Sequence, residues 1–166
     1  MIGKAMQEAM NEQINKELFS SYLYLSMAAY FEARNLAGFA NWMRIQSDEE
    51  REHAMKFYEH ILDRGGKVNL KALDAPKTEW SSSLEAAEEV AAHEAKVTAS
   101  INSLYELAQK EKDYPAQVML QWFITEQVEE EKNADELVSN LKLIEERGTA
   151  VLMLDHRLAK RVGDEA

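Results

Sequence analysis

Residues 39–61 carry a stripe that is apolar at both ends and polar in the middle. Phe39, Met43, Gln46, Glu50, His53, Phe57 and Ile61 follow one another at steps of four and three, the spacing that stacks side chains on one side of an α-helix. A side that begins and ends apolar faces a core, so Glu50 and His53 are carried into it. Helix neighbours at i and i+3 have Cβ atoms about 5–6 Å apart, which lets the Glu50-x-x-His53 pair reach one metal ion. A buried, unpaired carboxylate is costly or takes up a proton. The rest of the chain must therefore supply its compensation.

The same construction recurs three times. A first helix is expected over about residues 5–34, with Met10, Ile14, Glu17, Ser21, Tyr24, Ala28 and Phe31 on its inner face. Residues 35–38 form a short stop, so the second helix packs antiparallel to the first, and Gly65-Gly66 ends it. Residues 67–81 show no helical period and include Pro76. A link that long spans a bundle and sets the third helix parallel to the second. Ser82-x-x-Glu85 is a capping box that opens the third helix, whose inner face reads Ala87, Val90, Glu94, Val97, Ile101, Leu104 and Ala108. Asp113-Tyr114-Pro115 marks a turn with proline placed where a helix begins. The fourth helix then runs to about Glu146 with Leu120, Phe123, Gln127, Glu130, Ala134, Leu137, Leu141 and Ile144 inward.

A short fifth helix is expected over about 150–161 on the stripe Val151, Leu154 and Leu158. A completed bundle leaves it no interior place, so it reads as an arm buried by another subunit. The expectation is thus one all-α domain over residues 1–166. It is a four-helix bundle at about 5–146, with helices ~40–45 Å long, a long crossover between helices two and three, and a short C-terminal helix.

Composition supports helices and narrows the partners. Six Gly and two Pro in 166 residues disfavour a sheet protein. A net charge of −11 argues against nucleic acid, which needs a Lys/Arg surface, and suits a protein that attracts cations. The absence of Cys excludes disulfides and thiolate metal sites. It fits a cytoplasmic location, as does an N-terminal segment without a signal-like apolar run. No apolar stretch approaches the ~20 residues of a membrane span.

Each stripe breaks near mid-helix: Glu17 on the first, Glu50 and His53 on the second, Glu94 on the third, Gln127 and Glu130 on the fourth. A lone Glu in a stripe usually marks an exposed edge, and the acid runs Asp48-Glu49-Glu50 and Glu129-Glu130-Glu131 would ordinarily be solvated. Four helices breaking their pattern at one level is a different matter, because mid-helix positions of an antiparallel bundle meet. Four ionised carboxylates cannot share a low-dielectric core unaided, and two divalent cations would resolve the conflict. Oxygen donors with one imidazole and no sulfur suit iron or manganese, and zinc can occupy such a set. Tyr24 shares the face of Glu17. It either donates to a ligand and can lose an electron, or is plain packing. Trp122 is expected in the core. His60, His93 and His156 are expected at the surface or in the core rather than as ligands.

The pattern resembles the haem-free ferritins of bacteria and archaea. The likeness extends beyond the candidate ligands to SSYLYLSMAAYF, GFANWMRIQSDEEREHAMKFYEHILDRGG and LQWFITEQVEEE. By this resemblance Glu17, Glu50 and His53 bind one iron, and Glu50, Glu94 and Gln127 or Glu130 hold a second. Glu49, Glu126 and Glu129, with Glu130, would form a third site. The fourth helix carries Gln127-x-x-Glu130 where di-iron bundles commonly repeat Glu-x-x-His, which implies an asymmetric pair. Arg51 stands where bacterioferritins place a haem-binding Met, so no haem is expected. The resemblance implies a ferroxidase and iron store acting on Fe(II) and dioxygen, assembled as a homo-oligomer of twenty-four copies. The alternatives are a di-metal peroxidase or oxygenase on the same bundle, and a non-enzymatic bundle whose core acids are paired with Lys or Arg.

Overall fold

The computed structural model describes residues 1–145 and 148–163. Five helices follow in order: α1 (Lys4–Ala33), α2 (Ala37–Asp63), α3 (Ser83–Lys110), α4 (Tyr114–Ile144) and α5 (Gly148–Leu158). No strand occurs among the described residues. The expected end of the fourth helix at Glu146 lies outside them.

Local chemistry accounts for the breaks. The α2 C-terminus closes as the Gly65-Gly66 pair demands: Gly65 takes φ +69°. Its N–H bonds Leu62 O at 2.9 Å and that of Gly66 bonds Ile61 O at 2.8 Å, the paired bonds of a Schellman turn. Ser82 Oγ accepts from the Glu85 N–H at 2.9 Å to cap α3, and Glu85 in return accepts from the N–H of Ser81, one residue before the cap. Asp113 Oδ1 accepts from Ala116 N–H to cap α4. The same carboxylate pairs with Arg64 at 2.8 Å, tying the end of α2 to the start of α4.

Cross-links fix the directions. Ser21 bonds Ser47 O and Arg44 bonds Glu32, so α1 and α2 run oppositely. Ser20 meets His93 and Gln13 meets Ser100, so α3 opposes α1 and parallels α2. Gln127 reaches Glu94 while Lys142 pairs with Glu88, so α4 opposes α3. The crossover makes the parallel step by running along α1. Lys67 O and Asn69 N bond Asn11, Lys71 N bonds Asn15, and Lys77 O accepts from Ser26. Trp80 anchors its far end, with its ring 5.1 Å from that of Tyr30.

Two apolar clusters fill the interior. One gathers Leu23, Met27, Phe31, Phe39, Met43, Val90 and Leu137. The other gathers Met10, Ile14, Phe57, Ile61, Ile101, Leu120 and Phe123. On every bundle helix the stretch between them holds the acid, amide or imidazole that interrupts the stripe. The core is thus two apolar halves separated by one polar layer.

The fifth helix departs from expectation. It packs on its own bundle, with Leu154 and Leu158 buried, rather than waiting for another subunit. The start of α2 creates the seat. Leu36 gives that helix no side-chain cap, and Asp155 Oδ1 instead accepts from the N–H of Phe39 at 2.9 Å. Gly38 permits the approach, because a Cβ there would stand 1.7 Å from Asp155 O. No helix among the described residues is long and apolar enough to cross a membrane.

Candidate metal centre

The polar layer brings together all six interrupting residues. Glu17, Glu50, His53, Glu94, Gln127 and Glu130 are each buried to within a few per cent of full enclosure. Ligand atoms of Glu17, Glu50 and His53 lie within 4.8 Å of one another, and His53 Nδ1 stands 3.5 Å from Glu50 Oε2. Glu94 accepts a hydrogen bond from the Tyr24 hydroxyl and a longer one, 3.3 Å, from Gln127 Nε2. Glu130 Oε2 accepts from Gln46 Nε2 at 2.8 Å.

Glu17 Oε1 accepts from Gln13 Nε2 at 2.8 Å. Gln13 is itself held by Ser100, which Lys16 approaches at 2.6 Å. The remaining oxygen of Glu17 and both oxygens of Glu50 are buried without a hydrogen-bond partner. No Lys or Arg forms an ion pair with Glu17, Glu50, Glu94 or Glu130 among the described residues. Buried polar atoms are almost always bonded, so three carboxylate oxygens without partners beside an imidazole make a group that could hold a cation.

The electrostatics follow from burial. Desolvation lifts Glu17 to about 7, with the nearby Glu94 charge adding to it. Glu50 rises well above the carboxylate range through burial and then through the charges of Glu17 and Glu94. Burial also raises Glu94, against the hydrogen bonds from Tyr24 and Gln127, and lifts Glu130 to about 8. His53 goes the other way, to about 4, through burial and the charge of Lys56. At neutral pH its imidazole is uncharged and has a lone pair to donate. Tyr24 is pushed up by burial and by Glu94, so its hydroxyl keeps its proton.

A second carboxylate group adjoins the first. Ligand atoms of His53, Glu126 and Glu130 also fall within 4.8 Å of one another, with His53 Nε2 at 4.0 Å from Glu126 Oε1. His53 therefore stands between two acid sets. Glu49, Glu126, Glu129 and Glu130 line a cavity of about 170 Å³ with Arg161 in its wall. A larger concavity of about 540 Å³ lies between α1, the crossover and α3. None of the six buried polar residues of the layer lines it, so size does not mark the chemistry here.

Trp122 corrects an expectation. It is 40% exposed rather than in the core, because the stripe of α4 passes through Phe123 and leaves position 122 beside it. Its ring packs edge-on to His53 at 5.4 Å, and Lys56 Nζ sits 4.5 Å above it. His93 bonds Ser20 at 2.7 Å behind the Tyr24 ring and touches no acid of the centre. Three supporting residues lie outside the set that the sequence pattern marks. Gln13 precedes Glu17 by one helical turn, a signal that was available. Gln46 sat in the α2 stripe unassigned. Arg161 gave no signal, since its position depends on how α5 docks.

Comparison with known proteins agrees with this geometry. The family described as the ferritin-like domain matches residues 7–144. The chain is 40% identical over 165 residues to a bacterial non-heme ferritin of Staphylococcus haemolyticus, covering 99% of each chain. It is 40% identical over 161 residues to one of Bacteroides fragilis, covering 97% of this chain and 100% of that one. Among solved structures, an open-pore ferritin from the hyperthermophilic archaeon Archaeoglobus fulgidus superposes with a TM-score of 0.96 at 49% identity, covering 98% of this chain and 99% of that one.

Proposed function

The chain belongs to the ferritin family, and from that membership we propose that its polar layer is a di-iron ferroxidase centre feeding an iron store. Ferrous iron is the substrate. Glu17, Glu50 and His53 take one ion, and Glu50, Glu94 and Gln127 or Glu130 take the second, with Glu50 between them. Two ions bridged by a carboxylate sit roughly 3.5–4 Å apart. Each would give up one electron, and dioxygen would accept both together with two protons and leave as hydrogen peroxide. The buried acids hold the pair and offset its charge, the four carboxylates Glu17, Glu50, Glu94 and Glu130 against the four positive charges of two ferrous ions. Neutral His53 supplies the single nitrogen donor. Tyr24 holds Glu94 in place through its hydroxyl. Glu49, Glu126 and Glu129, with Glu130, form an outer station through which ferric iron leaves for a mineral.

The observation that carries this reading is the trio of buried, unbonded oxygens on Glu17 and Glu50. Storage implies a hollow homo-oligomer, for which we infer twenty-four subunits in the cytoplasm. Exposed apolar residues on several faces, Tyr22, Leu25, Leu70, Val118, Leu152 and Met153 among them, support multiple subunit contacts. Anaerobic Fe(II) titration followed by oxygen, read together with particle mass, tests the proposal. The expected result is saturation at about two ferrous ions per chain, rising to three with the outer station, then ferric mineral in a large particle. Peroxide turnover with no mineral growth would instead assign the centre to a di-metal peroxidase.

A further inference from the structure

The guanidinium of Arg161, just past the end of α5, turns back into the acidic cavity beside the centre. Its Nη2 lies 2.7 Å from Glu49 Oε2, and both side chains are largely enclosed, at 20% and 17% exposure. Its Nη1 donates to Gln46 Oε1 at 2.6 Å, and Gln46 in turn holds Glu130. The Trp42 ring supports the charged group at 4.8 Å, and Asn41 Nδ2 fastens the Arg161 carbonyl at 3.2 Å. The guanidinium is thus held by Glu49, Gln46 and Trp42, with its backbone fastened by Asn41, within reach of the acids that line the cavity.

A carboxylate oxygen engaged by a guanidinium cannot give the same lone pair to a metal. In a cavity of about 170 Å³, the fixed positive charge also repels an entering cation. We propose that Arg161 is a built-in counter-cation for Glu49, displaced when a divalent metal fills the outer acids, so that filling loosens the C-terminal segment. The inference rests on the outer-station reading given above. Because coupling between two binding events is reciprocal, whatever Arg161 takes from metal affinity the metal takes from the docking of the segment.

Anaerobic Co(II) titration of the assembled protein tests this, with wild type beside Arg161→Gln and Arg161→Lys. In Arg161→Gln the outermost binding event should tighten about five-fold, with the inner events unchanged. Arg161→Lys should stay near wild type. Hydrogen exchange on wild type alone gives a second reading, independent of how the variants assemble. The amides of Lys160 and Arg161, bonded to Arg157 O and Leu158 O at 3.1 Å, should exchange faster once the outer acids are filled.

Unchanged outer affinity in Arg161→Gln overturns the proposal, because a residue that merely glued the segment down would loosen it without affecting metal. Equal exchange with and without Co(II) overturns it too. Filling of the inner pair with no outer event removes this proposal and leaves the di-iron centre standing. Absence of any binding removes both.

Discussion

Glu50 has two oxygens in the dry interior with no hydrogen-bond partner, and its nearest charged neighbours are the like-charged Glu17 and Glu94. Such a group destabilises the metal-free fold. Glu50→Met keeps the length of the side chain and removes both the desolvation and the repulsion. The metal-free variant should gain about 1–3 kcal/mol in chemical denaturation, while Fe(II) oxidation is lost. A variant less stable than wild type would mean that Glu50 has a partner in solution. His53→Ala separates the two roles differently. The imidazole is neutral at pH 7 and contributes edge contacts to Trp122 and Phe123, so its removal costs packing but relieves no charge. Oxidation followed by stopped-flow absorbance should slow by more than ~100-fold, since loss of even a residue behind a ligand costs 10–100-fold, while particle mass stays that of wild type. Full-rate oxidation by this variant would reject the assignment of His53.

At the scale of elements, α5 is placed by α2, and Gly38 is the hinge of that placement. Ala is the better helix former by up to ~1 kcal/mol, so Gly38→Ala would ordinarily stabilise. Here its Cβ would meet Asp155 O at 1.7 Å, a backbone atom that moves only if α5 moves, and such overpacking costs about 1–3 kcal/mol. The clash wins. The variant should lower the melting midpoint and open residues 148–163 to limited proteolysis, and an unchanged cleavage pattern would refute the docking. The same helix marks where the sequence stopped being informative. The four stripes, the Gly65-Gly66 stop, the cap at Ser82 and the turn at Asp113-Tyr114-Pro115 were legible because each depends on neighbours within a few residues. The meeting of Glu17, Glu50, Glu94 and Glu130 was legible because helix length and direction alone set their height. The seat of α5 was not, because it depends on an absent side chain at position 38 and a cap supplied from position 155. The contacts of Arg161 inherit that blindness. Trp122 failed for a smaller reason: a large apolar residue beside a stripe need not belong to it.

Across the whole molecule, a net charge of −11 and a layer of buried acids make the metal-free protein sensitive to pH in a defined direction. An acid whose folded pKa lies above its unfolded value keeps protons that the unfolded chain has lost. Stability therefore falls as pH rises between the two values. Glu17 at about 7 and Glu130 at about 8 act this way, and Glu50 and Glu94 shift in the same direction. His53 and His93, both lowered to about 4, act oppositely. They bind fewer protons in the fold and so favour it as pH rises from about 4 to 6.5. Below pH 6.5 the two sets oppose each other. Above it the histidines lose their remaining unfolded-state protons and the acids come to dominate, so metal-free protein should lose stability from pH 6.5 to 8 in chemical denaturation. Divalent metal should cancel that slope, because bound cations hold the carboxylates ionised without repulsion. The same linkage requires protons to leave the protein when metal enters at pH 7. An indicator dye in weak buffer should record that release on addition of Fe(II) without oxygen, and a metal-binding protein that released none would contradict the elevated acids on which the centre is built.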